Sequence, residues 1–281
     1  MPEASQLLEL GRAAVEAAIK AGANEAEAYL VDSASAEMIF TSKVESFRLS
    51  SSTGLGIRAV VGKKLGMAST SSLSLDNVRR AAERAVKIAR ASKEDEHWRS
   101  LPGEFGRSSV PGLFDKETAS LSPDALVTCV EELANAVEAL GKAVRPSRGM
   151  LRAGRSLVAI CNSHGQEASR AETGAFTWVR VSAEEAGRSA TANESAYARA
   201  LSAIDFGKLG SEAAERALDF RKAEKLPTRK IDVVIRGKVM ASILATMFSG
   251  TLTADAVQEG RSPWAGKLGQ EVASEAFTLV D

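Results

Sequence analysis

The sequence predicts an α+β protein: two duplicated helix–antiparallel sheet–helix lobes followed by the start of a third unit. Three observations carry this. First, blocks of 3.6-residue apolar periodicity flank blocks of strand-like alternation, and this order occurs twice. Second, the two halves share a local phrase. "ESFRLSSSTGLGIRAVV" from Glu45 parallels "EASRAETGAFTWVRV" from Glu167, each a strand, then Thr-Gly, then an alternating strand. Third, the composition breaks at "EKLPTRK" (224–230), just before the apolar run "IDVVI" (231–235). The boundaries that follow are a first lobe at 1–92, a linker at 93–119, a second lobe at 120–228 and the beginning of a third domain at 229–281.

The elements of the first lobe begin with a helix at 6–21, with Leu7, Leu8, Val15, Ala18 and Ile19 on one face and Gly22 as its stop. Strand-like runs follow at 27–32, 36–42, 44–50, 55–61 and 65–70, with Gly54 and Gly62-Lys63-Lys64 read as turns. A helix at about 75–91 places Val78, Ala82, Ala85 and Ala89 on one side. In the second lobe, Ser122-Pro123-Asp124 is a strong helix start. It offers a capping hydroxyl, a proline at the first helical position and a carboxylate at the positive end of the dipole. Leu126, Val130, Leu133, Val137 and Leu140 form that helix's stripe, and Gly141 ends it. Strands are predicted at 149–153, 156–162, 166–172, 175–183 and 187–194, with "NSHG" (162–165) as a hairpin turn. The last helix of the lobe, at 205–222, carries Leu209, Ala213, Ala217 and Phe220 on one face. The segment 93–120, rich in charge, proline and glycine, reads as a linker or an extended surface loop.

Bulk composition excludes some classes of function. Lys+Arg and Asp+Glu are equal at 36 each, which argues against electrostatic binding to nucleic acid or to an anionic membrane. No apolar run is long enough to span a bilayer, and the N-terminal stretch lacks a basic segment followed by an apolar one, so a cytoplasmic protein is expected. Cys129 and Cys161 read as small buried apolar groups rather than a disulfide.

Catalytic motifs are scarce. His97 and His164 read as exposed, and neither has a second ligand at metal spacing. There is no G-x-S-x-G elbow and no phosphate loop, and "GLGIRA" (54–59) opens a strand rather than joining a strand to a helix. Asp255, Glu259 and Glu271 read as surface carboxylates. The most suggestive stretch is "RSPWAGK". Arg261, Trp264 and Lys267 offer an aromatic face, two cations and a flexible glycine, suited to holding an extended peptide. A surface turn with Trp264 packed inward is the equal alternative.

The tail "GKLGQEVASEAFTLVD" (266–281), preceded by "IDVVIRGKVMASILATMFSG", resembles the TldD/PmbA family, long labelled modulators of DNA gyrase. The resemblance extends over the chain, including the block from "ANEAEAYLVD" to "RRAAERAV". It implies a good deal. The metal-bearing member of that family carries His-Glu-x-x-x-His on the helix after the "VV" strand, and counting back from "GKLGQEVASE" those positions fall on Ala245, Thr246 and Gly250. The chain thus resembles the TldE/PmbA branch, which lacks the motif. The resemblance implies no catalytic residue, no metal and no cofactor in this chain. Zinc would belong to a TldD-like metallopeptidase paralogue that pairs with it, peptide is the implied substrate, and self-association is a further option. The implied function is a non-catalytic subunit of a metallopeptidase complex. The alternative is an interaction or regulatory protein of the gyrase-modulator kind. The resemblance further implies that Val239, Met240, Ile243, Leu244, Met247 and Phe248 pack as plain core. It implies too that the third unit is the start of a β-rich domain, that residues 231–281 are less well packed than the first 225, and that "FTLVD" is a strand whose neighbour lies in additional chain.

Overall fold

Helix α1 (Ala4–Lys20) starts where the Gln6 side chain accepts the Glu3 amide hydrogen at 3.1 Å, and it stops at Gly22, whose φ of 100° is open to a residue without a Cβ. The chain then forms β1 (Glu25–Phe40), β2 (Val44–Val61) and β3 (Lys64–Thr70), and returns along α2 (Leu75–Ala91), capped by the Ser74 hydroxyl. After a long connection come α3 (Lys116–Ser120) and α4 (Pro123–Glu138), then β4 (Val144–Asn162), β5 (Glu167–Glu185), β6 (Arg188–Ala198) and α5 (Phe206–Arg221). This computed structural model describes residues 3–106, 110–120, 122–185 and 187–280.

The strands are longer and fewer than the sequence predicts. Each run of five short strands is three long ones. Ser33–Ser35 and Thr53-Gly54 lie inside continuous ladders, because antiparallel partners supply their hydrogen bonds whatever the local turn propensity. The Thr-Gly pairs are therefore not turns. They mark where a third strand joins: β3 pairs with Leu55–Val61 of β2, and β6 with Ala175–Glu185 of β5.

All six strands form one antiparallel sheet in the order β3-β2-β1-β4-β5-β6. The halves meet at β1 and β4, which pair without interruption from Glu27 opposite Asn162 to Phe40 opposite Gly149. Helices cover one face. On β1 that face is Ala26, Ala28, Leu30, Ala36, Met38 and Phe40, all buried, while Tyr29 on the other face is half exposed.

Two apolar cores lie under the helices, and each draws on both halves. The first joins Leu7 and Val15 of α1, Val78 and Val86 of α2, Leu30, Leu55 and Ile57, and also Leu157, Ala159 and Cys161 of β4. The second joins Leu126, Val130 and Leu133 of α4, Leu209 and Ala213 of α5, Leu151, Val179 and Val181, and also Ala36, Met38 and Phe40 of β1. Between the cores, Arg155 pairs with Asp32 at 2.9 Å, and Asp32 is only 8% exposed. Of the residues predicted to face inward, Ile19 and Phe220 remain partly exposed near the ends of α1 and α5.

The connection after α2 is a strap bound to the sheet rather than a free linker. Glu94 bridges to Lys64, Leu101 is buried, and the Asn162 side-chain amide donates to the Pro102 carbonyl at 2.8 Å. Farther on, the Thr173 amide donates to the Leu113 carbonyl at 2.9 Å, and the Thr118 hydroxyl accepts from the Leu201 amide at 2.8 Å. The polar composition that suggests a linker supplies the groups that tie it down.

Residues 224–281 form a second unit. It contains α6 (Gly237–Phe248) and α7 (Ala254–Gln258). "IDVVI" is not a strand here, and neither is residues 277–280 of "FTLVD"; Asp281 lies outside the described residues. A strand needs a ladder partner, and among the described residues of this unit there is none. Val234 is 98% exposed, and of the expected core stripe of α6, Val239, Ile243 and Met247 are exposed while Met240, Leu244 and Phe248 are half-buried. Only Ala256 and Ser262 of this unit are buried among its described residues, in keeping with the expected looser packing of the last segment.

Small residues set how closely helices approach the sheet. A Cβ at Gly66 would overlap the Ala85 carbonyl oxygen and the Ala89 amide, both backbone atoms of α2. Substituting Gly66→Ala should therefore destabilise the protein by about 1–3 kcal/mol. Gly103→Ala, with nothing within 4 Å, should be close to neutral. Chemical denaturation of the two variants checks this.

Candidate functional site

Helix α6 presents the positions that the family resemblance singles out. Ala245 offers a methyl group, and the Thr246 hydroxyl donates to the Ser242 carbonyl one turn back, at 2.9 Å. Gly250 follows the helix and has nothing within 4 Å of where a Cβ would stand. The helix end is held by aromatic contacts. The Phe248 ring lies 5.3 Å from Trp264 and 5.5 Å from Phe277, both tilted, so Trp264 packs as part of a small aromatic cluster.

The other predicted cleft residues lie in the same segment. Arg261 is held by two carboxylates, at 2.6 Å from Glu259 and 2.9 Å from Asp255. The Thr253 hydroxyl and then Arg261 hold the Asp255 carboxyl below its usual range. The guanidinium is thus already neutralised. Lys267 is exposed, its amide donating to the Trp264 carbonyl at 3.0 Å. The structure places Trp264 beside the end of α6 and turns Arg261 toward α7. Among the described residues no group of three or more His, Cys, Asp or Glu is placed to hold a metal ion.

Sequence reasoning missed a half-buried polar knot at one end of the large sheet. Glu25, the first residue of β1, accepts from the Ser100 hydroxyl at 2.6 Å, the Trp98 indole at 3.1 Å and the Leu101 amide at 3.2 Å. His164, in the β4–β5 turn, contacts the same carboxylate at 2.8 Å. Beside it Arg58 pairs with Glu27 at 2.6 Å and lies over the Trp98 ring at 5.6 Å. Burial works against the Glu25 charge, but the bonds from Ser100, His164, Leu101 and Trp98 outweigh it and hold the carboxyl below its usual range. Ser100 and Glu25 both meet His164 at Nε2, so this is a clamp on the strap, not a relay through the two ring nitrogens. His164 is thus engaged rather than simply exposed. Burial likewise pushes the Cys161 thiol up to about 11, which makes it an inert core group as expected.

Comparison with known proteins places this architecture. Three parts of one family match in order along the chain. Domain 1 of the PmbA/TldA metallopeptidases matches residues 26–89, the central domain 116–220 and the C-terminal domain 228–281. The chain belongs to the PmbA/TldD family. It is 23% identical to the Metalloprotease PmbA homolog of Haemophilus influenzae over 95% of its own length and 60% of that protein's. It is 30% identical to a metalloprotease of Methanothermobacter thermautotrophicus, over 27% of the chain and 17% of that protein. The fold matches that of TldE from Thermococcus kodakarensis, with a TM-score of 0.80, 21% identity and coverage of 96% of this chain and 60% of that one. It also matches a Bacteroides thetaiotaomicron protein provisionally described as a modulator of DNA gyrase, with a TM-score of 0.83, 20% identity and coverage of 95% and 62%. The chain spans about three-fifths of the length of these full-coverage relatives.

Within the PmbA/TldD family, domain 1 and the central domain correspond to the two halves of the single sheet, and the C-terminal domain match corresponds to the α6–α7 unit. A metal does not fit the side chains at Ala245, Thr246 and Gly250: the only heteroatom is a neutral hydroxyl already donating to backbone.

The Glu25 clamp has a pH signature. The folded carboxyl titrates below its unfolded value of about 4.3, so its contribution is complete above that pH and fades as pH falls through the lower folded value. Glu25→Gln should lower Tm at pH 7, and its deficit relative to the unmodified protein should shrink below about pH 4. Thermal melts across pH 3–8 measure it.

Proposed function

We propose that this chain is a non-catalytic subunit of a TldD/TldE-type metallopeptidase assembly, supporting hydrolysis of small or unfolded peptides by a metal-bearing paralogue. One observation carries the reading. In a chain of a metallopeptidase family, the helix that resembles the metal helix offers a methyl, an engaged hydroxyl and a bare backbone. Neither a Lewis acid nor a general base can be assembled from these. The exposed apolar residues of α6, together with Val233 and Val234, support a subunit role, since such surface marks contacts with further protein.

In this reading Ala245 and Thr246 need only preserve helix geometry and Gly250 the turn that follows it, and Trp264, Arg261 and Lys267 shape the surface beside them. No helix among the described residues is long and apolar enough to cross a membrane, and the proposal places the assembly in the cytoplasm. A second reading, a regulatory partner without peptidase function, draws on the gyrase-modulator description of the Bacteroides relative.

The test is reconstitution with a paralogue carrying His-Glu-x-x-x-His. The chain alone should cleave nothing, and the mixture should cleave an unstructured peptide. Thr246→Val should leave the mixture's rate within about twofold, because no proton passes through that hydroxyl. Cleavage by this chain alone with one tightly bound metal per chain would overturn the proposal. Association with a topoisomerase and not with the paralogue would favour the second reading.

A further inference from the structure

The helix-free face of the large sheet carries a cavity of about 330 Å³, at the small end of the ~300–1,000 Å³ range of ligand sites. Its floor is one row across three strands: Ser35 opposite Gly154, and Gly154 opposite Gly174. Neither glycine has a positive φ, so backbone conformation does not require them. Close approach does: a Cβ at Gly154 would stand 2.8 Å from the Ala34 carbonyl oxygen, and one at Gly174 would stand 3.1 Å from the hydroxyl oxygen of Tyr197, whose ring lies against the glycine. The two flanking rows rise above this floor. On one side Arg152 stands opposite Phe176, and Phe176 opposite Tyr197. On the other side lie Ser33, Ser156 and Glu172.

The charges around the cavity are unevenly matched. Arg199 is bound to Glu172 at 3.3 Å and lies over the Tyr197 ring at 5.7 Å, while Arg155 is committed to Asp32 at 2.9 Å. Arg152 has no carboxylate within 4 Å among the described residues, and its one hydrogen bond goes to the Ser35 hydroxyl at 3.2 Å. A guanidinium with open donors therefore stands at one end of a trough, next to a serine hydroxyl, and two aromatic side chains lie along the same wall. A guanidinium fork suits a carboxylate. The aromatic wall suits an apolar side chain two or three bonds from it.

We propose that this trough binds the free C-terminal carboxylate of a short peptide, with Arg152 and Ser35 holding the carboxylate and Phe176 and Tyr197 flanking the terminal side chain. The choice of peptide over another carboxylate rests on the peptidase-assembly reading. The trough's own charge and shape do not. As a non-catalytic subunit, the chain would retain or sort peptide ends.

The experiment is calorimetric titration of the 281-residue chain with acetyl-Ala-Ala-Phe as free acid and as amide, and with inorganic phosphate. The acid should bind with a stoichiometry of one, and the amide should bind about tenfold more weakly or worse. Arg152→Gln, at an exposed position, should erase the preference for acid over amide. Gly174→Val should abolish binding of both by displacing the Tyr197 ring that lies against the glycine, with circular dichroism confirming that each variant is folded. Equal binding of acid and amide, an acid preference that survives Arg152→Gln, or phosphate binding as tight as the acid would each overturn the proposal. Because these titrations need no paralogue, acid-selective binding without reconstituted cleavage would refute only the subunit reading, and the reverse would refute only the site.

Discussion

The pairing of β1 with β4 is the constraint on which the large unit rests. It joins two copies of one helix–sheet–helix pattern, and it also divides each of the two central strands between two cores. Residues 26–30 of β1 lie in the core of their own half, and residues 36–40 lie in the other. β4 does the reverse, with 157–161 in the first core and 149–153 in the second. A half-domain with its own three strands would leave one end of its first strand bare. A register slip by one residue would turn every buried residue of β1 to solvent, so the apolar alternation itself enforces the pairing. At the seam, where neither helix pair reaches, the sheet places an ion pair, Asp32 with Arg155, instead of more aliphatic carbon.

Close approach is the second requirement, and small residues meet it. Alanine dominates the inner faces of α2 and α5, and glycines at 66 and 210 let a helix backbone come directly against its neighbour. Dense packing of this kind tolerates little added volume. The strap between the halves is fixed differently, by hydrogen bonds to a few buried or half-buried groups: Glu25, Asn162, Thr173 and Thr118. Its order depends on polar satisfaction rather than on apolar area.

The α6–α7 segment is a contrast. Its sequence is as apolar as a core helix, but half of that face is exposed, and a three-ring aromatic cluster and a loop pinned by Arg261 hold the rest. The match to the family's C-terminal domain extends through this segment. The polar chemistry of the large unit lies instead on the helix-free face of the sheet and at its Glu25 end.

The sequence by itself determined the four long helices of the large unit, the Ser122 cap, the glycine stops and the duplication. These are short-range properties: a capping hydroxyl, a 3.6-residue stripe, a glycine free to take a positive φ. It did not determine where one strand ends and the next begins, because Ser33–Ser35 and Thr53-Gly54 carry turn propensity that only a neighbouring ladder overrides. Nor could it place His164 on Glu25, or Arg152 at the rim of a glycine floor. Those groups are far apart in the chain and each is unremarkable alone. Only the tertiary structure decided them, since strand register and the path of the strap bring together residues with no local signal of their meeting.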